Sequence, residues 1–388
     1  MSEGGCKNLS LEVILCGRFN LGYSVAPPLA APYTLPANPT GLQMLLIRRT
    51  LVVLFLLCGV SRGADEVITL ATYNVEHFND HFYAFDLSKK LSKEKKEDPD
   101  IKEMLYQLRN KNDEDNWETA MVIDEVKPDI LVIEEGCTQS NLEYFNKHWL
   151  HDAYQTVIQF PTNTDREQNL CMLLKPGFKI LQRHDEYHLE KDTGGNERGN
   201  LLFARGPAFC LVQTPAGYKF WVGVTHQKSK YGNSLEVTQW RNREAVRTHQ
   251  IMLDLQKQGP TDVMLLGDMN DELGEDELEK QLNSGGDSIA NLVGPASDQF
   301  VLVTGQLAKN HQDSFGGYWN PKYRSFIDHV IVTPTMKDQV RKVEVFYGSL
   351  APAASDHFPV FVKLHSDGTP EDAPTIAPAA GPASNTNN

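Results

Sequence analysis

Residues 262–272 read DVMLLGDMNDE. Val263 to Leu266 is an apolar run of the kind a sheet buries. Past one glycine it ends on Asp268, Met269 and Asn270. Side chains of a strand alternate between its faces, so residues two apart share one. Asp268 and Asn270 are therefore expected to point into one pocket. A carboxylate there can hold or activate a water, and a carboxamide can donate to an oxyanion. A calcium loop starting at Asp268 fails at Leu273, which stands where such a loop needs glycine.

Other apolar runs end in the same way. They deliver Asn74 (ATYNVEH), Glu135 (DILVIEEG), His226 (VGVTHQK), Asp328 (SFIDHVIV) and the pair Asp356 and His357 (ASDHFPVFV). One polar residue closing a strand marks an exit to solvent. Six such ends, carrying residue types suited to one reaction, point to a shared site, because sites in layered α/β proteins assemble at strand ends. His329, one residue past Asp328, is expected on the opposite face.

Strand-like and helix-like stretches alternate from residue 66 onward. The pattern of helix, turn, apolar strand and acid occurs at 117–135 and again at 235–268. The helical stretch 234–259 ends at Gly259, as a helix C-terminus should, and its stripe through Trp240, Val246, Ile251 and Leu255 reads as packing. NLLFARGPAFCLVQT reads as one strand. Residues 86–116 are rich in Lys, Glu and Asp and read as an exposed insertion with some helix. This order predicts one α/β domain over 65–365, with two sheets sandwiched between helices.

The set of strand ends resembles the endonuclease/exonuclease/phosphatase superfamily, the DNase I-like metal-dependent phosphoesterases, and is most similar to its secreted members. TYNVEHF, GDMN and SDHFPV carry the resemblance, which covers residues 67–365. It implies an α/β fold, a four-layer α/β/β/α sandwich of two mixed sheets, and hydrolysis of phosphoric esters with Mg²⁺ or Mn²⁺. On this resemblance Glu135 is the principal metal ligand, with Asn74 and Asp356 beside the metal. Asp268 orients or deprotonates the attacking water, and Asn270 stabilises the transition state. His357 contacts the scissile phosphate, its ring oriented by Asp328, and His226 lies across the phosphate as donor or acid. Arg205, in FARGP, matches a family arginine near the phosphate, and Lys228, with Lys230, is a rim charge that touches it. In VIEEG, Glu134 stands where the family usually has Gln and is expected to add a negative charge beside the ligand.

Such a set suits the chemistry, because a phosphodiester is an anion that repels hydroxide unless a hard cation shields it. Nucleic acid, DNA or RNA, is the leading substrate. A lipid or sugar phosphoesterase, sphingomyelinase-like or acting on inositol phosphates, shares the chemistry. A non-catalytic binding module is the reading of another class. The net charge of −14 becomes −17 once residues 1–63, with five basic and two acidic side chains, are set aside. That excludes the basic footprint of a tight nucleic-acid binder.

Arg48 and Arg49 precede the apolar run Leu51 to Leu57, and small residues follow at Cys58, Gly59, Ser61, Gly63 and Ala64. Positive flank, short apolar core and small-residue exit make a secretory signal over 44–64, beginning at Met44. Residues 1–43 then read as a non-native or disordered leader, and the Pro/Ala-rich stretch 366–388 as a disordered tail. The expected product is a secreted or periplasmic monomer without a membrane span once the signal is removed. Cys137, Cys171 and Cys210 fit three small buried thiols better than a disulfide framework. N-terminal sequencing of exported protein should give a chain starting just after this small-residue exit; a mature chain starting before Met44 would refute the reading.

Overall fold

The computed structural model describes residues 66–164, 168–194, 200–232, 234–282, 286–310, 312–316 and 324–366. The expected leader (1–43) and signal (44–64) lie outside these residues, as does the expected tail 366–388 apart from Ser366. Strand-forming runs settle into two six-stranded sheets. The first contains β1 (Val67–Asn74), β2 (Ile130–Gly136), β3 (Thr156–Phe160), β4 (Asn169–Leu174), β11 (Val340–Val345) and β12 (Val360–His365), in the order β11-β12-β1-β2-β4-β3. The second contains β5 (Lys179–His184), β6 (Ala208–Gln213), β7 (Lys219–His226), β8 (Val263–Asp268), β9 (Val301–Leu302) and β10 (Asp328–Val332), in the order β5-β6-β7-β8-β10-β9.

Each sheet has one parallel pair at its centre, β1 with β2 and β7 with β8. A parallel pair needs a long crossover connection, usually helical. Helix α1 (Pro99–Val126) supplies the first, α2 (Gln139–His148) follows β2, and α3 (Leu235–Gln258) supplies the second crossover. The pattern recurring at 117–135 and 235–268 is this crossover unit, built once into each sheet.

Period-two alternation sorts the core into three layers. Ile68, Leu70, Ile130 and Val132 of the first sheet meet Val222, Val224, Met264, Leu266 and Val330 of the second. The other face of the first sheet, Ala71, Tyr73, Leu131 and Ile133, packs on Ala120, Ile123 and Phe145 of α1 and α2. The other face of the second, Val263, Leu265 and Ile331, packs on Trp240, Ile251 and Leu255 of α3. The protein is thus the expected α/β/β/α sandwich of two mixed sheets.

Two local expectations need correction and a third is exceeded. Residues 86–116 are mostly exposed and helical, with α1 running unbroken for 28 residues. Asp98 caps its first turn by accepting from the amides of Asp100 and Ile101, with Pro99 following in the first helical turn. Its buried stripe was hidden from hydrophobic patterning because it includes asparagines. Asn112 accepts from the amide of Ala84 and donates to the carbonyl of Asp80, while Asn116 donates to the carbonyl of His81. Residues 202–207 are not strand; they form a bend before β6, since Pro207 has no amide to give a ladder. On α3, Val246 is exposed and takes no part in the stripe.

The three cysteines are buried free thiols. Among the described residues, no helix is long and apolar enough to cross a membrane. Ser366 donates its amide to the carbonyl of Glu66, so the two ends of the domain lie side by side.

Burial, with the charge of Lys111, holds the imidazole of His81 down at about 4, and its Nδ1 has no hydrogen-bond partner. The unfolded chain, with its ordinary value near 6.5, binds the proton first as pH falls. Stability is therefore complete above about pH 6.5 and drains away toward pH 4. The share at pH 5 is about 2 kcal/mol. His81→Leu should lose less melting temperature than the native chain between pH 7 and pH 5 in calorimetric scans; equal losses would refute this account.

Candidate active site

The same parity that builds the core builds the site. Along β8, Met264 and Leu266 face the seam between the sheets, and the next residue on that face is Asp268. In β1, Ile68 and Leu70 are followed on the seam face by Thr72 and Asn74; in β7, Val222 and Val224 by His226; in β10, Asp328 precedes Val330 and Val332. Register then aligns them. His226 lies opposite Asp268 in the parallel pair, and Asp328 lies opposite Asp268 in the antiparallel one. One end of the apolar seam is thus replaced by polar groups, which open into a cleft of about 530 Å³.

Asp268 is the hub. Its Oδ2 accepts from Nδ2 of Asn74 at 3.0 Å and faces Nε2 of His226 at 3.2 Å, while its Oδ1 accepts from the amide of Asn270 at 2.8 Å. Burial opposes ionisation, but His226, His357 and the Asn270 amide outweigh it and hold the carboxyl well below the usual carboxylate range. Burial, joined by Arg205, keeps His226 below its ordinary value despite Asp268. The Nε2 proton of His226 is thereby engaged by Asp268. Nδ1 of His357 lies 2.9 Å from Oδ2 of Asp328. Burial works against its charge, yet Asp328, Asp268 and Asp356 raise His357 well above the usual imidazole value. The Oγ of Ser314 accepts from the amides of Ile327 and Asp328, both at 3.0 Å, and so fixes the backbone that carries Asp328.

Asn270 does share the pocket with Asp268, but not through strand alternation. The strand stops at Asp268, and Asn270 takes a left-handed conformation, φ 51°. Its Nδ2 donates to the carbonyl of Gln227 at 3.1 Å. The loop is pinned from behind by Asp271, which is fully buried. That carboxylate lies 2.7 Å from Nζ of Lys230 and 3.2 Å from Nε of Arg241, and it accepts the hydroxyl proton of Ser288. His329 points away from the cleft, as expected, with its Nε2 3.1 Å from the carbonyl of Asp271.

Glu135 and Asp356 line the cleft with Asn74, and the structure adds Glu76 and His77 to them. Glu135 also adopts a left-handed conformation, φ 55°, where the ladder between β2 and β4 is irregular. It accepts from the amide of His77 at 3.1 Å. Burial raises Glu135, but His226, Arg205 and His77 bring it below the usual range. Asp356 is pushed up to about 6 by burial and by the charges of Glu76, Glu135 and Asp268, against His357. Asp356 thus resists ionising in this cleft, and the carboxylate oxygens that line it with Oδ1 of Asn74 suit a hard divalent cation. Among the described residues, the ligand atoms that lie within 4.8 Å of one another belong instead to Asp268, Asp328 and His357 and to Asp271, Asp276 and Glu279. These groupings fit a metal less well, because His226 and His357 already face the first pair of carboxylates, and Lys230 and Arg241 face Asp271.

Glu134 was misjudged from the sequence. It continues the seam face after Ile130 and Val132 and is fully buried, with the Thr72 hydroxyl donating to it at 2.7 Å. Burial, with Asp328 and Asp268 close by, raises it well above the carboxylic range. Burial thus favours its neutral form beneath the site, close to the Gln it replaces, over the charge expected beside Glu135.

Arg205 lines the cleft, with Nη1 donating to Gln168 and Nη2 to the carbonyl of Gln227, both at 3.2 Å. Lys228 does not line it. Lys228 lines an adjoining depression, its Nζ 5.4 Å from the ring centroid of Trp240. Lys230 lines the cleft instead, paired with Asp271 and Asp276.

The model of the endonuclease/exonuclease/phosphatase family matches residues 71–357, and the chain belongs to that family. No curated protein matches it. Solved structures similar to it include a family protein from Bacteroides thetaiotaomicron, 15% identical with a TM-score of 0.49, covering 78% of this chain and 98% of that one. A mannosyl-6-phosphatase from Bacteroides thetaiotaomicron is 16% identical with a TM-score of 0.49, covering 76% and 99%. TDP2 from D. rerio, complexed with a single-strand DNA product, is 16% identical with a TM-score of 0.46, covering 77% and 99%.

His357→Ala should lower turnover on the order of 10²–10⁴-fold, the range for a positioned proton-transfer group. Asp328→Asn should also slow the enzyme, because the ring loses the carboxylate that holds its proton. Steady-state rates under saturating metal check both; near-native turnover by His357→Ala would refute the assignment.

Proposed function

We propose that this member of the endonuclease/exonuclease/phosphatase family is an exported phosphodiesterase that uses Mg²⁺ or Mn²⁺ and hydrolyses nucleic acid. The observation that carries this reading is the buried carboxylate of Asp268 between His226 and the His357–Asp328 pair, opening on a cleft lined by Glu135 and Asp356. Export rests on the signal pattern at 44–64.

In this reading Glu135, Asp356 and Asn74 hold the cation, which when bound shields the phosphate and polarises its oxygens. Asp268 orients the attacking water and takes its proton, its acceptor direction fixed by Asn74, His226 and the Asn270 amide. His357 keeps its proton through Asp328 and donates it toward the phosphate from the cleft wall. Asn270 and Arg205 present further N–H groups where charge grows in the transition state.

A second reading, a sugar or lipid phosphate as substrate, is favoured by the cations. Lys230 is held by Asp271 and Asp276, and Arg205 is buried in hydrogen bonds. Among the described lining residues, Arg324 is the exposed cation, 3.9 Å from Asp313. Each phosphate contact on a duplex steepens the salt dependence of binding by roughly 0.9 in log–log slope, so few contacts mean weak polyanion binding.

Glu135→Gln should lose activity that excess Mg²⁺ or Mn²⁺ partly restores, because a neutral oxygen holds a hard cation less tightly. Asp268→Asn should not be restored, since its partner is the water; equal rescue of both would overturn this division of roles. Bis(p-nitrophenyl) phosphate, plasmid DNA, RNA, sphingomyelin and inositol phosphates form the deciding panel. Cleavage of DNA or RNA supports the first reading. Hydrolysis of a lipid or sugar phosphate without cutting nucleic acid establishes the second, and no hydrolysis with any divalent cation refutes both.

A further inference from the structure

The catalytic cleft does not end at Arg205. A second depression of about 450 Å³ adjoins it and shares Gln168, Arg205 and Ser229 with it, so the two form one trough. The second depression is built rather than incidental. One carboxylate, Glu244 of α3, accepts from the amide of Lys228 at 2.6 Å and from that of Ala204 at 3.4 Å. It thus ties together the two loops that present Arg205 and Lys228. The Nζ of Lys228 lies over the ring of Trp240, whose Nε1 donates to the carbonyl of Leu202 at 2.6 Å. Both cationic side chains are nine-tenths buried, so their heads are held in place rather than sweeping through solvent.

At the rim stands Tyr231, 88% exposed and lining the same depression. A large ring so exposed has no packing role, and beside the ammonium of Lys228 it offers a flat face. That is the combination by which single-stranded nucleic acid is held: cations for the backbone and a ring for the base. Glu236 is the one acid among the described residues that line this second depression, whereas a different rim of the cleft leads to a third in which acids outnumber cations. Glu272, Glu275, Asp276 and Asp313 line it with Lys309 and Arg324, an acidic balance among the described residues that disfavours a phosphate.

We propose that the Arg205–Lys228–Tyr231 depression is a nucleotide-binding subsite, which takes the nucleotide next to the scissile phosphate by stacking its base on Tyr231 and setting its backbone phosphate against Lys228. The inference rests on the nucleic-acid reading of the catalytic site and gives that reading a direction: the strand lies toward Tyr231 and away from the acidic rim.

The test compares two small diesters, thymidine 5′-(p-nitrophenyl phosphate), which carries a base, and bis(p-nitrophenyl) phosphate, which does not. Tyr231→Ala should raise KM for the thymidine diester roughly tenfold, the scale of one base stack, with little change in kcat. Hydrolysis of bis(p-nitrophenyl) phosphate should stay at its native rate. Tyr231→Phe, which keeps the ring, should behave as the native enzyme. The subsite is refuted if Tyr231→Ala leaves both substrates unchanged or weakens both equally while the native enzyme still cuts DNA or RNA. If the native enzyme hydrolyses bis(p-nitrophenyl) phosphate but shows no preference for the thymidine diester and cuts no nucleic acid, the nucleic-acid reading itself fails and the subsite falls with it.

Discussion

The hydrogen bond from Asn74 to Asp268 joins the two sheets at the one end of their seam where apolar packing stops. The partners stand 194 positions apart in the chain. Neither strand alone makes the site. Each brings a polar side chain at the end of its seam-facing row, and a buried carboxylate is tolerated there only because donors converge on it. Asn74 arrives from the first sheet, His226 from the neighbouring strand of the second, and the Asn270 amide from the turn after β8. If the sheets slid against one another by one pleat, the rows would lose their match and Asp268 would face core instead of donors. The packing of the sandwich and the ionisation of its central carboxylate are therefore one constraint.

What could be read beforehand follows from what alternation encodes. Asp268, Asn74, His226 and Asp328 each continue a period-two row that starts with Val, Ile, Leu or Met, so their common face was readable from spacing. The layers were readable because helical and strand periods differ. Glu134 was not. Its charge state depends on Asp328 and Asp268, which are remote in the chain, and on complete burial. The spacing of Asn270 was right for the wrong reason: a turn with a left-handed residue, not a pleat, brings it beside Asp268. The helix expected within 86–116 was understated in length because the buried stripe of α1 runs through Asn112 and Asn116, whose partners at residues 80–84 are not visible to a hydrophobicity pattern. Lys228 was assigned to the cleft from its nearness to His226 in sequence, while its backbone tie to Glu244 turns it toward the neighbouring depression.

Behind the cleft, Asp271 and Arg241 are buried together, with Glu279 3.5 Å from the guanidinium. Glu279 is raised to about 8 by burial and by Asp271, so it offers Arg241 no full charge. Ion pairs so far from water contribute little net stability, because desolvation offsets attraction. Their effect here is geometric. Asp271 immediately follows Asn270, and its bonds to Lys230, Arg241 and Ser288 leave the intervening backbone few alternatives. A network of modest energetic worth thus sets the aim of a residue at the reacting end of the sheet.

The pairing of Ser366 with Glu66 also governs how this protein can be attached to anything else. Both residues lie beside the first residue of β1, where Val67 is paired with His365, whereas Asn74 closes the same strand at the cleft. An eight-residue strand spans about 25 Å. Anything joined to either end of the domain would hold it by the pole remote from the cleft, with the mouth facing outward.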